Sequence, residues 1–460
     1  MRVDGGNIGD LVVLVPTDTM RQCATFRFRD PDYSSAPAMP YETGVSRQLL
    51  YNYLRRDTKG RRRSTGRMGS WVAVLVVAAT VSLLLPSRSH ALTPDREIAQ
   101  YAHHSWKIDD GYFDSNPYSL AQDNDGYLWV GTGHGLYRYD GDRFLRWNPP
   151  TGTNLPSSKI EGLLADRDGS LWIGTEAGVA HLSGGHLKNY FENEGVTSGF
   201  YQVPDGTVWF GIHSFSENES KVLCSIRNSS VHCYGDKDGL EQQIMAGAIF
   251  ARDDAGYLWM GTPTSVVRWK PSSPPLVLSP KALESNSGQM GAKALIFDRD
   301  GSLLVGITGN SPGQGLQRLR GDKWSTVSAP NFDGSKLPVL VLFRDAHDAL
   351  WIGTRSDGLY RLYQGKAEHF SSRDGLSGDT VWAITEDREG TLWVATDKGL
   401  DSFHDTPVLA LSLTEFGVPE LDNLVTTRDG TLWVGGMGGL FTLNRGVLGV
   451  TSRGGNLAHK

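Results

Sequence analysis

The chain of 460 residues carries 45 Lys/Arg against 51 Asp/Glu, a net charge of −6, and it contains 55 glycines but only three cysteines. With residues 1–91 set aside, 32 basic residues face 44 acidic ones, a net charge of −12. An acidic, evenly salted surface with no basic stripe excludes nucleic acid as a partner.

Residues 1–67 are rich in Arg and show no repeat and little apolar periodicity. They are expected to be a disordered tail or the product of a translation start placed too far upstream. Trp71–Leu85 then forms an apolar run of fifteen residues, preceded by Arg55, Arg56, Lys59, Arg61, Arg62, Arg63 and Arg67 and followed by Ser89-His90-Ala91. A basic flank, a short apolar core and a small-residue stop predict a secretory signal peptide over 68–91, cleaved before Leu92. The alternative is an uncleaved helix that anchors the chain in the inner membrane through residues 71–85, although a comfortable span needs about 20 residues. Either way the basic flank stays in the cytoplasm and the remainder of the chain is exported to the periplasm.

Residues 98–445 repeat. Eight copies of a phrase of the form Asp/Glu-Gly-x-Leu-Trp-Val/Ile-Gly-Thr are anchored at Trp129, Trp172, Trp209, Trp259, Leu304, Trp351, Trp393 and Trp433, with spacings of 37 to 50 residues. In the first copy the apolar runs predict four strands, over 118–123, 127–132, 136–140 and 144–147, joined by tight turns. A period of roughly 40–50 residues built of short strands is the mark of a β-propeller blade. Gly126, Gly169 and Gly390 recur in the turn before the second strand, where a positive φ fixes hairpin register. The second strand is apolar on both faces, so its Trp is expected to pack between blades.

A blade cannot bury both faces alone, so the repeats must close into a ring. The segment His104–Asp109 reads as a lone outer strand that completes the last blade. The predicted fold is therefore all-β, a propeller of four-stranded blades with seven in the ring, preceded by the signal or anchor helix. The eighth copy, around Trp433, is left as an extra blade or the start of a second ring. Residues 446–460 are expected to be a truncated trailing segment.

Cys224 and Cys233 flank the sequence SIRNSSVH. If Asn228-Ser229 is a two-residue turn, Arg227 faces Ser230, Ile226 faces Val231 and the two cysteines fall opposite each other. That register predicts a cross-strand disulfide, with Cα atoms about 4.5 Å apart. Two free thiols are the alternative.

Written out eight times, the phrase Asp-x-Asp-Gly-x-Leu-Trp-Val-Gly-Thr-x-x-Gly-Leu-x-Arg-Tyr/Leu resembles the two-component regulator propeller repeats of bacterial hybrid sensor histidine kinases. The strongest matches are 124–139, 168–182, 348–362 and 389–403, and copies 3 and 5 are degenerate. The resemblance implies a periplasmic sensor region that binds a small molecule or oligosaccharide, forms a homodimer and passes the signal to a kinase output domain in full-length relatives. No phosphoacceptor His or Gly-rich ATP lid follows the repeats, so the chain is expected to be a fragment of a longer sensor or a free-standing exported propeller. An exported lyase or glycosidase, or a passive protein-binding scaffold, is the rival reading.

Propellers take ligands on the face formed by the turns between second and third strands. His134, Glu176, His213, Arg355, Asp357, Asp397 and Lys398 occupy those turns and are the candidate ligand contacts. The His residues are scattered rather than clustered, which points to no metal. No nucleophile elbow or Cys–His arrangement appears, so neither a catalytic residue nor a cofactor is expected.

Overall fold

The computed structural model describes residues 92–214, 223–240, 250–280, 283, 291–309 and 313–406, with shorter stretches at 11–15, 22–26, 409–412, 421–427, 431–436, 439–444 and 447–453. The predicted signal segment 68–91 lies outside the described residues. Among the described residues no helix is long and apolar enough to cross a membrane.

Residues 90–409 form one compact unit. It is a seven-bladed propeller of four-stranded antiparallel sheets. Blades 1 to 6 occupy residues 117–147, 160–190, 195–234, 250–278, 292–326 and 339–370, and blade 7 takes three strands from 381–404. Its fourth strand comes from the other end of the unit: Ala102–Lys107 pairs antiparallel with Gly399–His404. The closing strand thus begins two residues earlier than His104–Asp109, and it closes the ring as expected. In blade 1 the strands run Pro117–Gln122, Leu128–Thr132, Gly135–Tyr139 and Phe144–Trp147, each within one residue of the sequence reading.

The motif tryptophans hold the ring together in a cyclic order. Trp129 lies in an apolar cluster shared by blades 1 and 2, Trp172 by blades 2 and 3, Trp209 by 3 and 4, and Trp259 by 4 and 5. Leu304 serves blades 5 and 6, Trp351 blades 6 and 7, and Trp393 the seam between blades 7 and 1. Each blade therefore buries its own Trp, or Leu304 in blade 5, against the next blade, which is why a single blade has no stability of its own.

The Asp that opens each turn does more than tolerate the turn. Asp123, Asp166, Asp253, Asp345 and Asp387 each accept the indole N–H of the Trp six positions later, at 2.7–3.0 Å. A buried indole donor needs such an acceptor. In blade 5 Leu304 replaces the Trp, and the freed Asp298 instead binds Arg318 at 2.7 Å and Arg344 at 3.2 Å. In blade 6 the turn Gly is replaced by Asp348, which adopts the left-handed conformation itself at φ 71°.

The second glycine of the phrase has a different role. A Cβ at Gly353 would come within 2.4 Å of Val341 and 2.6 Å of Val381 in blade 7, so the bare backbone lets adjacent blades approach.

In blade 3 Cys224 lies opposite Cys233, with Ile226 opposite Val231 and Arg227 opposite Ser230. A disulfide joins the two cysteines, whose Cα atoms are 4.1 Å apart. The intervening Asn228 and Ser229 both have positive φ, as a twisted two-residue hairpin demands.

The described residues of 1–89 and 410–460 belong to a second unit. Within it the eighth copy makes its own four-stranded sheet, Leu421–Thr426, Leu432–Gly436, Gly439–Asn444 and Val447–Arg453. Its last strand falls in the segment expected only to trail. Within 1–67, Leu11–Val15 and Gln22–Phe26 form an antiparallel pair.

Candidate ligand-binding face

Strand alternation gives the ring two faces. On one lie the Asp-Gly turns and the hairpins joining third and fourth strands. On the other lie the turns joining second and third strands, together with the connections between blades. First strands of successive blades pack side by side around the ring, including the first strands of blades 7 and 1 across the seam. They line the axis, and their N-terminal ends open on the second face.

The motif Thr shapes the turns of that face. Thr132, Thr175 and Thr354 are fully buried and donate their hydroxyls to Gly135, Gly178 and Gly358 at 2.8–2.9 Å. The same oxygens accept backbone N–H groups from His134, Ala177 and Asp357. The turns are thus rigid, and the side chains between Thr and Gly are presented outward.

Six of the seven residues singled out in the sequence sit on these turns. Exposed His134 places Nδ1 3.3 Å from the Asp114 carbonyl, and its own carbonyl accepts from Arg146. Glu176 lies 3.4 Å from Lys159, which also holds Glu161 at 2.8 Å. Asp357 accepts the Tyr360 hydroxyl at 2.5 Å; burial and this carboxylate together push the Tyr360 phenol above its usual range. Arg355 and Asp397, from adjacent blades, meet on one residue: Thr380 donates its hydroxyl to the Arg355 carbonyl at 2.7 Å and its N–H to Asp397 at 3.2 Å. Lys398 is exposed. Asp379 would be raised by burial, but Ser372 and the charge of Lys398 outweigh that and lower it. His213 is placed differently: it lies inside the second strand of blade 3, Val208–Ser214, opposite Val196. The strand runs on through the position where the phrase loses its Thr, so His213 is not a turn residue.

One set of residues on this face has no counterpart in the sequence reading. In blades 1, 2, 5, 6 and 7 the first strand carries a one-residue bulge at the same step of the ladder, opposite the Gly-Thr end of the second strand. The extra residues are Tyr118, Glu161, Lys293, Leu340 and Trp382. Each stands eleven positions before its motif Trp or Leu. A bulge turns a side chain out of the pleat alternation. Here the bulged residues keep at least partial exposure, although both neighbours are buried in blades 1, 2 and 5 and the preceding one in blades 6 and 7. Trp382 is the most open, at 36% exposure. It meets Tyr118 across the seam in an edge-to-face pair with ring centroids 5.5 Å apart. Burial lowers the Lys293 ammonium, and the hydrogen bond to Glu161 raises that of Lys159. The constant spacing before the Trp, combined with changing chemistry, was the signal that could have found them.

Clefts between blades open on the opposite face. One of about 530 Å³ between blades 2 and 3 is lined by Asp166, Asp168, Tyr190, Gln202 and Arg227. Another of about 520 Å³ between blades 1 and 2 is lined by Tyr127, Arg138, Trp147 and Asn148. Among the described residues no group of three or more His, Cys, Asp or Glu is placed to hold a metal ion.

A Ser–His–Asp grouping does occur at the ring closure. His103 Nε2 lies 2.9 Å from Asp401 and 3.4 Å from Ser105, while Ser105 donates directly to Asp401 at 2.6 Å. Serine and carboxylate share one ring nitrogen, so no relay through the imidazole exists. Asp401 is fully buried and also accepts the Ser377 N–H. The cluster fastens the closing strand.

Segments 111–134, 154–177 and 375–398 match the family model of the two component regulator propeller. The chain carries two-component regulator propeller repeats. Each matched segment contains a bulged first-strand residue, Tyr118, Glu161 or Trp382, and ends in the turn after the second strand. No curated protein matches the chain. Among solved structures, the propeller is similar to the extracellular domain assigned to the hybrid two-component system BT4673 of B. thetaiotaomicron, at 18% identity and TM-score 0.53, over 75% of this chain and 45% of that one. The corresponding domain of BT3049 from the same organism gives 15% identity and TM-score 0.55, over 77% and 49%. Virginiamycin B lyase of Staphylococcus aureus gives 14% identity and TM-score 0.51, over 67% and 100%. At these identities the likeness is one of fold. The chain spans about half the length of the two-component structures that it resembles.

Proposed function

We propose that the chain is the exported ligand-sensing propeller of a two-component system, without catalytic activity of its own. The observation that carries this reading is the match of three repeats to the two component regulator propeller. Export is supported by the basic and apolar pattern of residues 55–91, and by a cross-strand disulfide of the kind that persists in oxidising compartments. Residues 68–91 serve as signal peptide or membrane anchor. Ligand binds on the face formed by the second-to-third-strand turns, with Glu176, Arg355, Asp357, Asp397 and Lys398 among its contacts. A bound ligand acts by favouring one arrangement of rings or dimer partners, and its effect is limited by its difference in affinity for the two arrangements. The working unit is a homodimer, and the kinase output belongs to full-length relatives.

Fractionation of the native cell, together with transcript profiles of a deletion strain across a nutrient panel, tests the reading. The chain is expected outside the cytoplasm, and at least one nutrient response is expected to disappear in the deletion. A cytoplasmic location, or unchanged transcripts in every condition, contradicts it.

A further inference from the structure

The channel mouth at the seam between blades 7 and 1 combines features that favour one class of ligand. Trp382 and Tyr118 project from bulges on adjacent first strands and form an edge-to-face pair, and Trp382 keeps a third of its surface open. Leu340 and Glu161, from the bulges on either side, continue the arc, so the aromatic pair is bordered by an apolar side chain and by a carboxylate that Lys159 already neutralises. An exposed Trp on an innermost strand is not needed for packing here, because Trp393 already fills the junction of blades 7 and 1. A flat apolar ligand surface gains most from such a platform.

The adjoining turn of blade 6 carries a cation, Arg355. Its carbonyl is tied to Thr380, two residues before Trp382, which fixes its turn at the blade 6 and 7 junction. Its side chain is exposed and forms no ion pair among the described residues. By contrast the nearby carboxylates are engaged: Asp379 accepts from Ser372 at 2.6 and 2.7 Å, Asp397 from Thr380 and Asp357 from Tyr360. A guanidinium left free in this setting pairs with a carboxylate in a forked geometry.

We propose that this seam binds a small carboxylate whose body has a flat apolar face, with Trp382 and Tyr118 as the platform and Arg355 as the counter-ion. The inference rests on the sensing reading and names the ligand chemistry of the same face. Aromatic acids and uronic acids share that chemistry.

Two anion probes separate the sources, phenylacetate and methyl glucuronoside, each compared with its neutral counterpart, phenylethanol or methyl glucoside. Binding to the full chain is followed by calorimetry and tryptophan fluorescence. At least one anion is expected to bind ten times or more tightly than its neutral counterpart. Trp382→Ala is expected to weaken it at least tenfold, Trp382→Phe by about threefold, and Arg355→Ala to abolish the preference for the anion. Arg227→Ala, on the opposite face, is expected to change nothing. Binding of neither anion, or undiminished binding by a folded Trp382→Ala protein, overturns the proposal. The sensing reading survives that outcome if the deletion strain still loses a nutrient response.

Discussion

Trp393 and Trp382 of blade 7 stand eleven positions apart and are used in opposite ways. Trp393, on the second strand, is 5% exposed, packs in the cluster that joins blade 7 to blade 1, and donates its indole N–H to Asp387 at 2.7 Å. Trp382, on the first strand, occupies a bulge, keeps 36% of its surface open and meets an aromatic neighbour edge-to-face across the seam. The same side chain is scaffold in one place and contact surface in the other, and what decides is the ladder position. Second-strand positions recur from blade to blade because each must fit the same junction. Bulge positions change from Tyr to Glu, Lys, Leu and Trp because no junction constrains them.

Substitutions in the second strand should break the ring. Trp393→Ala removes a large buried side chain at the closing seam and is expected to cost about 3–5 kcal/mol, read as a lower midpoint in guanidinium denaturation. Gly353→Ala places a Cβ against Val341 and Val381 at 2.4 and 2.6 Å, and the overpacking is expected to cost about 1–3 kcal/mol. Asp345→Ala leaves the buried Trp351 indole and the Ala349 N–H without their acceptor; a loss of about 1–3 kcal/mol should shrink, without vanishing, when Trp351 is first replaced by Leu, because the Ala349 N–H still loses its partner.

Electrostatics sharpen the same contrast at smaller scale. Asp300 of blade 5 is held down at about 2 by the Ser302 hydroxyl and N–H, with Arg318 and Arg320 adding to the effect. Its folded pKa lies below the unfolded value, so its contribution is complete above about pH 4 and vanishes as pH falls through about 2. Being on the surface, the group is screened, and Asp300→Asn is expected to lower stability at pH 7 by only about 0.5 kcal/mol. The variant and the parent should converge in stability near pH 2.

Much of this scaffold was legible in the sequence, because the features that make a ring are local and repeated. Turn glycines, the Trp position and the orphan strand before the first repeat gave seven blades and their closure. Three things were hidden for physical reasons. The bulges are a property of pairing, since one extra residue leaves no mark on a single strand's apolar pattern and is seen only when the partner's register is known. The Asp looked complete as a turn residue, so its second role as acceptor for the indole was masked; Val203, at the equivalent place in blade 3, marks a copy where that acceptor is missing. His213 reads as a turn residue because the phrase loses its Thr there, whereas a strand can run on through that position. Of the candidate contacts, Arg355 and Asp397 converge on Thr380, which required the fold to bring blades 6 and 7 together.

The stability of Trp382→Ala, measured by guanidinium denaturation beside Trp393→Ala, tests the division between scaffold and contact surface most directly. The account predicts that Trp382→Ala unfolds within about 0.5 kcal/mol of the parent while Trp393→Ala loses several times more. A loss above about 2 kcal/mol for Trp382→Ala, of the size expected for a buried side chain, would contradict it and make the bulged residues part of the packing.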